Sequence, residues 1–182
     1  QKWTLFPYTT LFRSPPDINF SNLRIVLDCA NGACYKVTPK IFEELGAEVI
    51  TIGNDPDGYN INEGCGSTHP EVVKEAVIKH RADYGISLDG DGDRVILVDE
   101  KGSILDGDDL LYILAFSNPN RTGPWSGVVG TLMSNYALED GIKKLGYNFK
   151  RADVGDKHVS KMLTDKGWML GGETSGHIIC KD

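Results

Sequence analysis

The sequence predicts an α/β protein built from two tandem units in which helices flank sheets, with the second unit truncated. Short apolar runs alternate with amphipathic segments from Leu23 onward. Residues 118–127, which are rich in proline, glycine and asparagine, interrupt this alternation and indicate a domain boundary. The alternation then restarts, and the chain stops before a second unit of similar length is complete.

The first unit opens with a strand, a helix and a second strand. Residues 23–27 are mostly apolar and precede a glycine-bearing turn, as expected of a strand that leads into a helix. Apolar residues recur at helical spacing over 36–45, and Gly46 is a typical helix stop. The next strand is predicted at 48–52.

A long polar loop, 54–67, follows, and its length indicates a functional role. Pro70 begins a predicted helix that runs to residue 80, because proline is favoured in the first turn. Two apolar segments, 84–88 and 95–98, predict strands on either side of an acidic loop. The last helix of this unit begins at 106–108 and continues through Phe116.

The second unit repeats the pattern. Its predicted strands are 128–131, 147–151 and 168–170, its predicted helices are 136–145 and 157–166, and one more short strand follows residue 177. The first fourteen residues show neither helical nor strand periodicity and lack the features of a signal peptide. We therefore predict that 1–16 are extraneous to the natural chain, that 17–117 form the first domain, and that 118–182 form part of a second.

The composition excludes several classes of partner. A net charge of −7 argues against nucleic acid and anionic membranes, which both require a basic surface. No apolar run approaches the roughly 20 residues of a transmembrane helix. The four cysteines lack CxxC spacing, and zinc ligation by them and the histidines has no spacing support, which favours reduced thiols in a cytoplasmic protein.

The acidic loop, DGDGDR at 89–94, carries the strongest chemical signal. Asp89, Asp91 and Asp93 would repel one another unless a cation neutralised them, and hard divalent ions such as Mg²⁺ prefer carboxylate oxygens. The intervening glycines let the three side chains turn toward one point. Arg94 adds a cation suited to a phosphate group. The loop therefore predicts a metal site that meets a phosphoryl group.

Two other interpretations of this loop were weighed. A solvated turn is common for acidic-glycine sequences, but the apolar flanks leave little room for a long surface loop. An EF-hand is the second, since Asp89, Asp91, Asp93 and Glu100 fall at its loop positions 1, 3, 5 and 12. An EF-hand requires glycine at position 6, where this chain has Arg94, and helices on both sides, so we reject it.

Seven stretches of this chain together resemble the α-D-phosphohexomutase superfamily, in that family's order and with similar spacing. They cover most of the chain from residue 17, and lie at 27–33, 58–62, 89–94, 106–108, 130–135, 154–156 and 172–177. The resemblance implies two tandem α/β/α domains with mixed sheets, the family's domain II at 17–117 and part of its domain III at 118–182. It also implies that the first domain, with a phosphorylated serine, and the fourth, with a phosphate-binding loop, are absent from this chain.

The resemblance further implies an activity for the parent enzyme. The sequences of residues 172–177 and 131–135 are most similar to the branch that interconverts glucosamine 6-phosphate and glucosamine 1-phosphate. In that branch the reaction proceeds through a phosphoserine and a 1,6-bisphosphate and depends on Mg²⁺. The alternatives are a phosphomannose or phosphoglucose mutase of the same superfamily and, for the chain alone, a catalytically silent pair of Mg²⁺-binding domains. The isolated chain is expected to be inactive.

Site residues follow from the same resemblance. It implies Mg²⁺ ligation by the three loop aspartates, phosphoserine contact by Arg94 and sugar binding by Glu173 and Ser175. His177 matches a histidine sometimes assigned proton transfer, although a purely structural histidine is an equal alternative. Substrate contacts are also implied for Gly155, Asp156 and Lys157, but the family usually has Arg-Tyr where this chain has Lys157-His158, and lysine lacks the bidentate fork of arginine.

Overall fold

The computed structural model describes residues 18–118 and 120–181. The segment predicted to be extraneous, 1–16, lies outside the described residues. The α/β prediction is confirmed, because the described chain forms two mixed sheets with helices packed on them. No helix within the described ranges is long and apolar enough to cross a bilayer.

The first sheet has its parallel strands at one side and antiparallel strands at the other. Its elements are β1 (Arg24–Asp28), α1 (Val37–Glu44), β2 (Glu48–Ile52), α2 (Pro70–His80), β3 (Tyr84–Leu88), β4 (Val95–Asp99) and β5 (Ile104–Leu105). The strand order is β2-β1-β3-β4-β5, in which β1 pairs in parallel with β2 and β3, and the remaining pairs are antiparallel.

The second sheet repeats the topology of the first. Its elements are α3 (Gly107–Ser117), β6 (Gly127–Thr131), α4 (Tyr136–Lys144), β7 (Asn148–Ala152), α5 (Asp156–Lys166), β8 (Leu170–Gly172) and β9 (Ile178–Cys180). The order is β7-β6-β8-β9, with β6 parallel to both neighbours and β9 antiparallel to β8. The β3–β4 loop and the β8–β9 loop therefore occupy equivalent positions in the two sheets.

Helix α3 packs on the second sheet, although the sequence analysis assigned it to the first domain. Its buried residues Leu111 and Ala115 belong to the same cluster as Val128, Leu138 and Ile142. Tyr147 fastens the end of the helix by donating its hydroxyl to Ala115 O at 2.9 Å and to Asn118 O at 3.0 Å. The polar stretch 118–127 is consequently a connection within the second unit, and we place the division between the units near residue 106.

The first sheet has a separate core between α2 and the sheet. The buried residues Val26, Val73, Val77, Ala82 and Val98 pack together there. The second face of the second sheet is covered by α5, whose Val159 and Leu163 pack with Val129 and Trp168. Apolar packing thus anchors both sheets, and the β3–β4 and β8–β9 loops begin and end on paired strands.

Candidate functional site

The acidic loop joins β3 to β4 as the connection of an antiparallel hairpin. One carboxylate oxygen from each of Asp89, Asp91 and Asp93 lies within 4.8 Å of the other two. Two oxygens bound to one octahedral Mg²⁺ at about 2.0–2.1 Å are about 2.9 Å apart when adjacent and about 4.2 Å apart when opposite, so rotations of these side chains would bring all three oxygens onto one ion. Strands flank the loop, which excludes an EF-hand.

Asp89 shapes the backbone of the acidic loop. Its side chain is nearly buried, and its Oδ1 accepts hydrogen bonds from the backbone N–H groups of Gly92 and Arg94, each at 3.1 Å. Gly92 has a φ of +77°, and a Cβ there would overlap Cys34 Sγ. The loop therefore needs glycine at this position to curl around the Asp89 carboxylate.

Two neighbouring segments hold the acidic loop in place. The β1–α1 turn donates Ala33 N–H to Gly90 O at 2.7 Å, and a Cβ on Gly32 would overlap that same carbonyl. From the long 54–67 loop, the side chains of Ile61 and Asn62 lie against Gly90. The long loop is therefore in contact with the acidic loop.

A buried carboxylate that the sequence analysis did not select, Asp28, joins these supports. It is fully buried at the end of β1 and accepts hydrogen bonds from Ala30 N (2.9 Å), Gly66 N (2.7 Å) and the Ser87 hydroxyl (3.4 Å). Burial raises the pKa of the Asp28 carboxyl above its ordinary value, and these three donors oppose the rise only in part. A single buried acid thus ties β1, the long loop and β3 together next to the acidic loop.

The buried Asp28 makes a prediction about pH. Because the pKa of Asp28 is raised on folding, the carboxyl keeps its proton to a higher pH in the folded state than in the unfolded state. The protonated carboxyl therefore adds to the free energy of unfolding at low pH, and this contribution is lost as the pH rises above the ordinary pKa of 3.8. Asparagine cannot titrate and cannot accept at both side-chain positions, so Asp28→Asn is expected to be less stable than the parent chain, by a margin that narrows from about pH 4 toward pH 7. Urea unfolding of both chains across this range measures the margin, and a constant margin would contradict the prediction.

The loop at 173–177 joins β8 to β9 and carries several of the predicted substrate contacts. Glu173 Oε1 accepts a hydrogen bond from Gly155 N at 2.8 Å, so the segment before α5 meets this loop. Ser175 is exposed, and so are Asp156 and Lys157 in the first turn of α5. Of the predicted substrate-binding residues, Glu173 and Gly155 are therefore in direct contact, whereas Ser175, Asp156 and Lys157 are exposed.

The two loops contact each other, which brings the predicted catalytic residues to the acidic loop. The Val95 N–H donates to Gly176 O at 3.1 Å, and His177 Nδ1 lies 3.1 Å from Asp93 Oδ2. Arg94 Nε lies 3.7 Å from Asp89 Oδ2 and 3.9 Å from Asp93 Oδ1. Nothing in the sequence signalled the contact of His177 with Asp93, since the two residues are 84 positions apart.

Family models match two consecutive parts of the chain. Residues 8–102 match the model described as phosphoglucomutase/phosphomannomutase, alpha/beta/alpha domain II. Residues 106–182 match the model described as alpha/beta/alpha domain III of the same family. The two matched ranges meet between residues 102 and 106, next to the start of α3.

Curated relatives are similar along nearly the whole chain. A phosphoglucosamine mutase of Legionella pneumophila (strain Lens) is 59% identical over 162 residues, which is 89% of this chain and 36% of that protein. One from Thioalkalivibrio sulfidiphilus is 55% identical over 168 residues, covering 92% of this chain and 37% of its own length. The chain therefore spans just over a third of the length of these relatives.

Solved structures share the fold. A phosphoglucomutase/phosphomannomutase family protein from Burkholderia thailandensis superposes with a TM-score of 0.80 at 28% identity, over 91% of this chain and 37% of that structure. The Aspergillus fumigatus N-acetylphosphoglucosamine mutase, solved in complex with GlcNAc-6P and magnesium, gives a TM-score of 0.65 at 25% identity, over 87% of this chain and 33% of that one. The chain belongs to the phosphoglucomutase/phosphomannomutase family, of which it carries α/β/α domains II and III.

Proposed function

We propose that this chain supplies the metal loop and the sugar-binding loop of a phosphoglucosamine mutase. In the whole protein, a phosphoserine on another domain would donate its phosphoryl group to O1 of glucosamine 6-phosphate. The bond between serine Oγ and phosphorus breaks as O1 bonds to phosphorus and gives up its hydroxyl proton to a base, which yields a 1,6-bisphosphate. After the sugar turns round, the phosphoryl group on O6 returns to the serine and leaves glucosamine 1-phosphate.

One observation carries this proposal, namely that the acidic loop and the 173–177 loop are joined into a single site. The Val95–Gly176 hydrogen bond and the His177–Asp93 contact hold a candidate metal site beside a candidate sugar site. Phosphoryl transfer to a sugar requires both at once, because the protein's main contributions are positioning and charge stabilisation. The choice of glucosamine phosphate is supported by relatives of 55–59% identity that carry that name.

Asp89, Asp91 and Asp93 would hold Mg²⁺, which agrees with the magnesium named in the Aspergillus fumigatus complex. The bound ion supplies charge neutralisation for the oxygens of the transferring group. Asp89 is suited to hold the inner side, since its Oδ1 is already fixed by two backbone donors. Asp91 and Asp93 are exposed and present their oxygens from the open side.

The remaining residues are assigned to orientation and proton handling. Arg94, next to the acidic loop, would steady the phosphoserine phosphate with its guanidinium fork. Glu173 and Ser175 would bind hydroxyls near the middle of the sugar ring, close to the axis about which the sugar turns, so one loop can serve both orientations. His177, which contacts Asp93, would hold or move a proton at the reacting hydroxyl.

The residues before α5 have a supporting part in this proposal. Gly155 donates its N–H to Glu173 and would orient that carboxylate toward the sugar. Asp156 and Lys157 are exposed at the same edge, where Lys157 offers a charge to a phosphate without a bidentate contact.

We assign the protein to the cytoplasm, which agrees with its four free cysteines.

A chimera tests the proposed function. The aligned segment of the Legionella pneumophila enzyme is replaced by the matching residues of this chain, which is 59% identical there. We expect Mg²⁺-dependent conversion of glucosamine 6-phosphate, with glucose and mannose phosphates turned over at least about tenfold more slowly. A chimera that folds and prefers a glucose or mannose phosphate would assign the chain to that branch of the family instead.

The isolated chain provides the second arm of this test. It is expected to bind Mg²⁺ in calorimetry and to show no mutase activity, because the proposed phosphoserine lies on another domain. Turnover by the isolated chain would contradict the proposal that the phosphoserine lies on another domain. Mg²⁺ binding by the chain, together with a folded but inactive chimera, would favour a metal-binding domain pair without catalysis.

A further inference from the structure

The first turn of α3 lies directly against the backbone of the 173–177 loop. Gly107 N donates to Thr174 O at 3.0 Å. A Cβ on Gly107 would overlap Glu173 O and would lie 2.8 Å from Gly176 N. The loop therefore rests on a backbone surface that only glycine leaves open at this point.

The next residue, Asp108, links this surface to a rigid turn. Its side chain is 1% exposed, and its Oδ2 accepts a hydrogen bond from Asn135 N at 2.7 Å. Asn135 caps α4 by accepting from Leu138 N at 2.7 Å. Arg151 fixes the same turn by donating to Thr131 O and Ser134 O at 3.1 and 2.6 Å. One oxygen of Asp108 is thus anchored to a well-held part of the second unit.

The other oxygen of Asp108 is unpaired, and so is the hydroxyl of Thr174. Both atoms are buried, and neither has a hydrogen-bond partner among the described residues. The two residues are neighbours in space, because Gly107, which precedes Asp108, donates its N–H to Thr174 O at 3.0 Å. Burial raises the pKa of the Asp108 carboxyl, and the Asn135 N–H and the Ser134 and Thr174 hydroxyls oppose that rise. Buried polar atoms without partners are rare in folded proteins, and a small movement of the loop would pair these two.

We propose that Asp108 is a positioning residue for the 173–177 loop and that a hydrogen bond from the Thr174 hydroxyl to Asp108 Oδ1 seats this loop in solution, before any sugar binds. Thr174 lies between Glu173 and Ser175, the two residues assigned to the sugar. A loop seated through Thr174 therefore aligns both of its neighbours. The kinetic consequence rests on the proposed function, whereas the order of the loop does not.

Hydrogen–deuterium exchange of the 182-residue chain tests the seating contact without any assay of activity. Thr174→Val keeps the shape of the side chain but removes its hydroxyl, and we expect amides of 173–177 to exchange about tenfold faster, with 89–94 unchanged. Thr174→Ser restores the hydroxyl and should restore protection. Thr51→Val, at an exposed position of β2, is the matched control. No change in Thr174→Val, or an equal rise throughout the second unit, would overturn the proposal.

A double-mutant cycle identifies the partner. Removing the Thr174 hydroxyl should accelerate exchange in the parent chain but have little further effect in Asp108→Ala. Equal effects in both backgrounds would exclude Asp108 as the partner. If Asp108→Ala does not fold, the proposal is decided by the exchange rates of the 173–177 amides in Thr174→Val and Thr174→Ser.

The active chimera then measures the kinetic consequence. Thr174→Val is expected to raise KM for glucosamine 6-phosphate about tenfold with a smaller change in kcat, and Thr174→Ser is expected to reverse most of the rise. An unchanged KM in an active chimera would overturn the role in sugar binding. An inactive parent chimera would instead count against the proposed function, while the exchange result would still decide whether the loop is seated by Asp108.

Discussion

Asp91→Asn is expected to abolish detectable Mg²⁺ binding by this chain and to lower kcat of the active chimera at least about 10²-fold. The substitution removes one of three negative charges whose oxygens lie within 4.8 Å of one another. Asp91 is exposed, whereas Asp89 also accepts hydrogen bonds from the loop backbone, so substitution of Asp91 tests the charge rather than the shape of the loop. Metal ions supply several kcal/mol of charge stabilisation in reactions of this kind, and each ~1.4 kcal/mol corresponds to tenfold in rate. Calorimetric titration with MgCl₂ measures the first effect, and initial rates measure the second.

Glu100→Gln is the matched control for this prediction. Glu100 is also an exposed acid close to the loop in sequence, but it lies beyond β4 and pairs with Lys101 at 3.7 Å. It should leave Mg²⁺ affinity within about twofold of the parent, because its contact is a surface ion pair. Undiminished Mg²⁺ affinity in Asp91→Asn would defeat the assignment of the metal loop, whatever its effect on rate.

Gly176→Ala is expected to destabilise the chain by about 2–5 kcal/mol and to separate the two loops. Gly176 has a φ of +95°, which strains any other residue, and a Cβ there would overlap the Val95 carbonyl. The substitution therefore pushes apart the Val95 and Gly176 backbones, whose hydrogen bond joins the acidic loop to the 173–177 loop. Urea unfolding gives the loss of stability, and the chimera should lose activity along with it.

Gly146 provides the control, since its φ of +91° is nearly the same but no atom of the other residues that the structure describes lies within 4 Å of its added Cβ. Gly146→Ala therefore carries the backbone strain alone, about 1–2 kcal/mol, and should leave activity unchanged. The difference between the two variants measures the cost of forcing the loops apart. If Gly176→Ala and Gly146→Ala lost the same stability, the overlap with the Val95 carbonyl would contribute nothing, which would contradict the prediction.

Most secondary-structure elements could be predicted from local pattern. The helix at 70–80 and the strands at 48–52 and 84–88 were predicted with the bounds that the structure shows. The strand predicted at 168–170 lies at 170–172, because Trp168 N–H closes the end of α5 on Leu163 O and its ring packs beneath Gly127. The two-residue strand β5 was not predicted, because two residues are too few to show the alternation of apolar and polar side chains that indicates a strand.

The assignment of α3 shows where local pattern stops being informative. A helix with apolar residues such as Leu111 and Ala115 must pack on something, but its sequence does not say on which sheet. The polar stretch after it looked like a domain boundary, whereas Tyr147 binds that stretch to the second core. Only the packing of the folded chain assigns this helix to the second unit.

The sequence by itself determined the chemical character of this protein: an α/β chain with three clustered carboxylates, a glycine-rich turn between them and a second loop rich in polar groups. Charge repulsion, backbone freedom and hydrophobic periodicity are local properties, so a linear reading captures them. The tertiary structure alone decided that His177 meets Asp93, that Gly176 lies on Val95, and that Asp28 and Asp108 are buried behind the two loops. These contacts join residues far apart in the chain, and their energies depend on burial and backbone geometry that exist only after the two sheets have packed.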